Sequence, residues 1–308
     1  MATYNGEQYL EEQIESIRAQ DHLNWKLYVS DDGSTDSTLS LIQKYADLDS
    51  RVCVVNTQRQ GGVVNNFNKA LNFSTSDYAM LCDQDDIWLS NKVSVMLASI
   101  KERMLVGVIE SPILVFSDLH LVDEKNKTIQ KSFYRSNNLN PNYNTDAKFL
   151  SWRSSVYGCT IIMNRALLVR ALPLPKGVPM HDQWLSLIAA HTGIVAYANN
   201  QTIRYRQHQG NVVGGAGRGA WGKVKALKGL LKNIEKAVDG CIQQNSALLQ
   251  YLSAAEAVDH IALDSIRYKL KFIVSNVLPY WSERKGYCFF FVVKLLFCRQ
   301  NFVSNQQL

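Results

Sequence analysis

The sequence predicts an α/β fold with a mainly parallel sheet. Helix-period and strand-period segments alternate through the first half of the chain, the pattern of a sheet layered with helices. Acidic residues gather where the predicted strands end, and at that edge of an open α/β sheet loops and helix N-termini converge on ligands. With 308 residues at 46% hydrophobic, the chain buries one full-sized core and keeps residues for an appendage. The same composition, 10% aromatic and 19% charged, excludes disorder, collagen, coiled-coil rods and disulfide miniproteins.

In chain order, Asn5 is placed to cap a helix with Leu10, Ile14 and Ile17 on one face and Gln8 in the capping-box position. Residues 26–30 form a strand ending in Asp31 and Asp32, and Gly33 and Ser34 turn the chain into a helix carrying Leu39, Ile42 and Tyr45. Residues 51–55 read as the next strand, 63–71 as a helix, and 77–82 as a third strand running into Asp83, Gln84, Asp85 and Asp86. A helix over 90–104, a strand over 113–117, an Asn-rich excursion around 137–144 and an apolar run over 159–163 follow. Met180, His181, Asp182, Gln183 and Trp184 start a helix whose Leu185, Ile188 and Ala189 face inward. Residues 210–222 hold six glycines and read as a mobile loop, which divides a sheet domain over 1–215 from a basic helical region over 216–308. A sheet of this kind opens with a buried apolar strand ahead of residues 3–6, where only Met1 and Ala2 stand. A truncated or misassigned first strand is therefore expected.

The formal charge of +6 is unevenly placed. Residues 1–217 carry 20 basic and 21 acidic side chains, whereas residues 218–308 carry 13 and 6. A sheet domain without excess positive charge lacks the basic groove that a nucleic acid requires, so that partner is excluded. An anionic surface met by the tail fits better. Residues 221–238 set Lys223, Lys225, Lys228, Lys232 and Lys236 among Val224, Leu227, Leu230, Leu231 and Ile234, an amphipathic helix with a cationic face. A second apolar-basic stretch, 287–302, carries Lys294 and Arg299. Its core, residues 287–298, falls short of the roughly twenty apolar residues of a membrane span. Cys53, Cys82, Cys159, Cys241, Cys288 and Cys298 form no close pair and lie mostly in apolar runs, as reduced residues of a cytosolic protein. Asn5, Gly6, Glu7, Glu11 and Glu12 interrupt the stretch where a signal peptide needs an apolar run.

Two acidic strand ends carry the candidate chemistry. Asp83, Asp85 and Asp86 follow the apolar Ala79, Met80, Leu81 and Cys82, so mutually repelling carboxylates are presented together at a sheet edge. Such oxygen ligands suit Mg²⁺ or Mn²⁺, completed by phosphate oxygens of a substrate; an acidic turn capping the next helix has the same sequence. The second cluster, Ser30-Asp31-Asp32-Gly33-Ser34-Thr35-Asp36, is ordinary turn and N-cap chemistry by itself. Beside the first, it offers a turn able to contact a base or ribose.

Ala2-Thr3-Tyr4-Asn5-Gly6, the segment from Ser30 to Asp36, Asn66 in its helix, and Cys82-Asp83-Gln84-Asp85-Asp86-Ile87-Trp88 together resemble family 2 glycosyltransferases of the GT-A fold in order and spacing. Tyr157-Gly158-Cys159-Thr160, His181-Asp182-Gln183-Trp184, Tyr205-Arg206-Gln207-His208 and Asn211 are similar to the bacterial cell-surface polysaccharide rhamnosyltransferases of that family. The resemblance covers about residues 1–215. It implies a Rossmann-like, mainly parallel sheet with helices on both faces, followed by a helical C-terminal extension.

The same resemblance implies site roles. Thr3 and Tyr4 line the nucleotide pocket with Tyr4 stacking on the base, Asp31 or Asp32 accepts from base or ribose, and Asn5, Asn66 and Gln84 belong to the same nucleotide-sugar site. Asp83 and Asp85 hold the divalent cation against the diphosphate, Asp86 supports them, and His208 matches the late histidine that reaches metal or diphosphate. Asp182 matches the catalytic base that deprotonates an acceptor hydroxyl; its alternative role is to cap its helix. Related rhamnosyltransferases tend to carry an aromatic residue where Gln183 stands, a departure that bears on acceptor preference.

The implied reaction is inverting transfer of L-rhamnose from dTDP-β-L-rhamnose to a polysaccharide or polyprenyl-diphosphate-linked glycan. It takes place at the inner face of the plasma membrane, where the cationic tail lies on the anionic surface. The same helices can instead pack on the body or on a second subunit. Two other classes share some of these features. A sugar nucleotidyltransferase also uses paired carboxylates, but shows a Gly-rich phosphate loop with a basic residue near its N-terminus, which this sequence lacks. A non-catalytic nucleotide-sugar-binding protein keeps the pocket without turnover.

Overall fold

Three strands, β1 (Ala2–Thr3), β2 (Leu27–Asp31) and β3 (Val52–Asn56), pair in parallel in that order, with Thr3 opposite Asp31 and Val29 opposite Val54. Parallel neighbours need crossovers, and α1 (Leu10–Arg18) and α2 (Thr38–Leu48) supply them. Leu10, Ile14 and Ile17 recur at helical spacing on α1 and are buried with Val29 of β2 and Ile42 of α2 in one core. α3 (Val63–Asn72) follows β3 and buries Asn66, Phe67, Ala70 and Leu71. The structure, a computed structural model, describes residues 1–106, 110–208, 220–255 and 266–298.

A second sheet is built from β4 (Tyr78–Met80), β5 (Ile87–Trp88), β6 (Ile113–Val122), β7 (Thr128–Gln130), β8 (Ile161–Asn164) and β9 (Ile194–Arg206). Its order is β4-β8-β6-β9-β5, with β7 hairpinned onto β6. Between these strands run α4 (Lys92–Val106), α5 (Phe133–Ser136), α6 (Ala147–Leu150), α7 (Arg165–Ala171) and α8 (His181–Thr192). Here β6 and β9 pair in parallel, while the β4–β8, β8–β6, β6–β7 and β9–β5 pairs are antiparallel. The all-parallel arrangement thus belongs to β1–β3, and the second sheet is mixed. Ala2 donates its N–H to the Cys82 carbonyl at 3.4 Å, joining β1 to the chain just beyond β4.

One local reading is corrected, and one strand is added. Asn5 does not cap α1: Tyr9 holds the cap position without a side-chain bond, while Asn5, at φ 46°, accepts the Thr35 N–H at 2.9 Å. Met1 also takes part in the first sheet's hydrogen bonding, accepting the Ser30 N–H at 3.0 Å. The thirteen-residue β9 was not anticipated, because its register with β6 jumps from Ala198 to Gln201 and leaves Asn199 and Asn200 exposed in a bulge that breaks the alternation.

The chain divides into two units, and all of the sheet belongs to the first, which comprises Met1–Thr145, Ser155–Leu174 and Met180–Gly215. The second takes Asp146–Ser154, Pro175–Pro179 and Ala216–Leu308. It contains α6, α9 (Ala220–Ala255), α10 (Ile266–Phe272), a π-helical turn over Ile273–Val277 and α11 (Lys285–Phe297). Asn245 Nδ2 donates to the Ser151 carbonyl at 2.6 Å, and Arg153 pairs with buried Glu283 at 3.0 Å. Most of the glycine-rich loop predicted over 210–222 lies outside the described residues, as do Asn211, Arg299, Phe302 and the side chains of Lys223, Lys225 and Lys228. No helix among the described residues is long and apolar enough to cross a membrane. All six cysteines are free thiols.

Candidate active site

The connection from β4 to β5 carries the acidic cluster. Leu81 and Cys82 are buried and anchor its first half, so the carboxyl groups that follow are fixed at the sheet edge. Asp83, Asp86 and Cys159 each place a ligand atom within 4.8 Å of the others. Desolvation raises the Asp83 carboxyl to about 7, helped by the charges of Asp85 and Asp182. Burial, then Asp83 and Asp85, pushes Asp86 well above the usual carboxylate range. Asp86 Oδ1 accepts from the Arg206 N–H at 3.3 Å, while Oδ2 has no hydrogen-bond partner among the described residues. Crowded carboxyls with an orphaned oxygen are the environment that a hard divalent cation relieves, so these residues fit Mg²⁺ or Mn²⁺.

Asp85 turns to the other expected ligand, with Oδ2 2.8 Å from Nε2 of His208. The His208 ring lies 4.9 Å from that of Tyr9. Cys159 was missed as a neighbour of this cluster. It comes from the turn before β8, and only the β4–β8 pairing brings that turn to the end of β4.

Asp182 stands in the first turn of α8, where the helix dipole favours a negative charge. It is not the cap, a position that Met180 holds. Its Oδ2 accepts the Gly158 N–H at 3.0 Å and its Oδ1 the Gln183 N–H at 2.7 Å. These two bonds fix the carboxylate, and its charge is among those that raise Asp83. Beside it His181 is buried against Phe67, with ring centroids 4.1 Å apart. Burial lowers the pKa of His181 against the opposing pull of Asp182, and neither ring nitrogen has a partner among the described residues.

The first acidic cluster is occupied with the protein itself. Asp31 is buried and accepts from Thr3 Oγ1 at 2.7 Å, Ser34 N–H at 2.7 Å and Ser34 Oγ at 2.6 Å. Asp32 accepts the backbone N–H groups of Gln60, Gly61 and Gly62, the last two at 2.8 Å. Both acids therefore shape the loops around the first sheet's edge. Gln84 pairs with the Tyr4 backbone in both directions, accepting its N–H at 2.8 Å and donating to its carbonyl at 3.0 Å. The Tyr4 side of that clamp is free to face a ligand, the residue being 52% exposed. Asn66 is buried and donates to the Thr3 carbonyl at 3.1 Å, leaving its own Oδ1 without a partner among the described residues.

A family model described as Glycosyl transferase family 2 matches residues 1–168, more than half of the chain. The chain belongs to glycosyl transferase family 2. This family 2 glycosyltransferase is 27% identical over 203 residues to TuaG of Bacillus subtilis (strain 168), a glycosyltransferase named for teichuronic acid biosynthesis, covering 65% of this chain and 74% of that one. It is also 27% identical over 231 residues to the dTDP-rhamnosyl transferase RfbG of Shigella flexneri, covering 70% and 73%. Among solved structures, S. aureus TarS 1–349 in complex with UDP-GlcNAc aligns at a TM-score of 0.52 with 15% identity, covering 96% of this chain and 88% of that one. The mannosyltransferase PcManGT of Pyrobaculum calidifontis, solved with GDP-Man and Mn²⁺, aligns at 0.50 with 18% identity, covering 97% and 86%. These likenesses establish the GT-A fold.

Proposed function

We propose that this family 2 enzyme is an inverting, divalent-cation-dependent glycosyltransferase that moves L-rhamnose from dTDP-β-L-rhamnose onto a growing cell-surface polysaccharide or lipid-linked glycan. The observation that carries the reading is the Gly158–Cys159 turn, which gives its N–H to Asp182 Oδ2 at 3.0 Å and places a Cys159 ligand atom within 4.8 Å of those of Asp83 and Asp86. One turn thus joins a carboxylate fixed by two backbone N–H groups to an acidic cluster suited to a diphosphate-bound cation. The name of RfbG supports dTDP-rhamnose as donor, and that of TuaG, given for teichuronic acid biosynthesis, supports a surface polysaccharide as product.

In this reading Asp182 accepts the proton of the acceptor hydroxyl as its oxygen bonds to the anomeric carbon from the face opposite the nucleotide. The bond from that carbon to the diphosphate oxygen breaks with its electron pair leaving on the diphosphate, so a β-linked donor yields an α-L-rhamnoside. Asp83 and Asp85, supported by Asp86 and with His208 beside them, would hold a divalent cation, which would supply charge stabilisation to the departing diphosphate. Tyr4 stacks on the base, while Thr3, Asn5, Asp31, Asp32, Asn66 and Gln84 shape the nucleotide-sugar site.

The test is acceptor-dependent release of nucleoside diphosphate by the purified protein with dTDP-rhamnose and Mn²⁺. Asp182→Asn is expected to bind dTDP and lose transfer, and EDTA is expected to abolish transfer by the native chain. Full turnover by the variant removes Asp182 from the mechanism, and full activity in EDTA removes the cation. Release of pyrophosphate would indicate a nucleotidyltransferase, and no release under any condition a binding protein.

The second unit supports work at a membrane surface. Ile266, Leu270, Val274 and Leu278 recur every four residues and are all exposed, while Phe272, Ile273, Val277 and Tyr280 are buried. Residues 266–298 carry Arg267, Lys269, Lys271, Arg284, Lys285 and Lys294 against one acid, Glu283, which is paired with Arg153. An exposed apolar stripe in a segment with an excess of basic residues, of which Lys294 is paired with Glu235, suits an anionic bilayer.

A further inference from the structure

Arg206 ends β9 with a side chain only 2% exposed, and four parts of the first unit meet on it. Its Nε donates to the Asp85 carbonyl at 3.0 Å, one amino group donates to the Glu124 carbonyl at 2.7 Å, and the other binds the Glu12 carboxylate on α1. Its own backbone N–H reaches Asp86 Oδ1. The guanidinium carbon lies 4.8 Å from the centre of the Tyr9 ring, and Tyr9 in turn packs on His208.

We infer that Arg206 and Glu12 are a positioning pair that holds the Asp85–Asp86 segment and His208 in the arrangement a divalent cation needs. This rests on the cation-dependent reading above. A planar guanidinium donates in three fixed directions at once, which a lysine ammonium on a flexible stem does not reproduce. One Arg206 side chain therefore ties the Asp85 backbone to the end of β6–β7 and to α1. The chain cannot place a bare buried cation beside a metal site without weakening it, because like charges repel in a low-dielectric setting. Glu12 neutralises that charge from the solvent side, its own side chain being 49% exposed. The Arg206 side chain thus orients the segment through the Asp85 carbonyl, and only its backbone N–H takes a carboxylate oxygen, Asp86 Oδ1.

The test measures Mn²⁺ uptake directly, from the electron paramagnetic resonance signal of free Mn²⁺, by the full chain with dTDP present. Arg206→Lys is expected to weaken Mn²⁺ binding about tenfold or more, the usual effect of removing an outer-shell partner. The donor KM should rise in parallel, and saturating Mn²⁺ should restore turnover. Glu12→Gln, at a half-exposed position that tolerates change, is expected to weaken Mn²⁺ binding several-fold and serves if Arg206→Lys does not fold. Native-like Mn²⁺ affinity in the folded variants overturns the pair's role while leaving the cation reading intact, as does a turnover defect that saturating Mn²⁺ fails to repair. A native chain that takes up no Mn²⁺ overturns both.

Discussion

Gly158 donates its backbone N–H to Oδ2 of Asp182 at 3.0 Å, at a position with no room for a side chain. A Cβ there would stand 2.9 Å from His181 Nε2, 3.5 Å from Leu81 Cδ1 and 3.7 Å from Asp182 Cβ. The contact with His181 is tighter than real Cβ atoms show, and His181 is itself pinned against Phe67. Gly158→Ala must therefore shift either the turn or the start of α8, and the carboxylate moves with them. Displacing a reacting group by about 1 Å costs on the order of 100-fold in rate. The variant is expected to lose about that much kcat while binding dTDP normally in a thermal-shift titration. Native kcat would show that Gly158 does not set the base.

Asp83 gives the enzyme a defined pH response. Its carboxyl titrates near 3.8 when unfolded and at about 7 in the fold, raised first by burial and then by Asp85 and Asp182. Between those values the folded chain holds a proton that the unfolded chain has lost. Without a cation, this group's contribution to stability therefore falls as pH rises from about 4 to about 7. A cation takes the deprotonated carboxylate, so Mn²⁺ should raise the melting temperature more at about pH 8 than at about pH 5.5. Asp83→Asn should flatten the pH dependence and shrink the Mn²⁺ effect. Equal Mn²⁺ shifts at both pH values in the native chain would contradict this.

The acidic strand ends at Asp31 and Asp83 were legible because strand and helix periods are local signals, whereas Asp182 was picked out by the resemblance to a family. Partnership was harder to read. Asp31 and Asp32 also bind nearby hydroxyls and glycine N–H groups, partners that no spacing in the sequence reveals. Asn5 looks like a helix cap, but its side chain is used by Thr35, thirty residues on. Arg206 binds Glu12 across 194 residues and Asp85 across 121, and no spacing rule reaches that far. The mixed order of the second sheet was hidden for the same reason, since alternation identifies a strand and not its neighbour.

On the proposed reading, the exposed stripe of the second unit carries membrane attachment and can be separated from catalysis. Leu270→Glu with Val274→Glu places two charges in the stripe without touching buried Phe272, Ile273 or Val277. The pair is expected to reduce flotation with vesicles containing phosphatidylglycerol and to leave acceptor-dependent turnover on a soluble acceptor intact. Flotation should also fall with salt, because attraction between exposed basic residues and anionic headgroups is screened over about 10 Å at 0.1 M. Unchanged flotation would assign vesicle binding to another surface.

Gln84 and Tyr4 form the other separable element. Two hydrogen bonds between the Gln84 amide and the Tyr4 backbone tie the residue after β1 to the segment that carries Asp83 and Asp85, which on the proposed reading sets where the base stacks. Gln84→Glu keeps the acceptor but loses the donor to the Tyr4 carbonyl, and it adds a negative charge facing that carbonyl oxygen. The Tyr4 segment should then loosen, raising the donor KM several-fold. Because Gln84 touches neither Asp182 nor Gly158 in these bonds, kcat at saturating donor should change little. Tyr4→Ala tests the ring separately: it removes the stacking face, and the loss of nucleotide affinity should match about 1–3 kcal/mol per stacked base. A fall in kcat with unchanged KM in either variant would place these residues in the chemical step rather than in nucleotide binding.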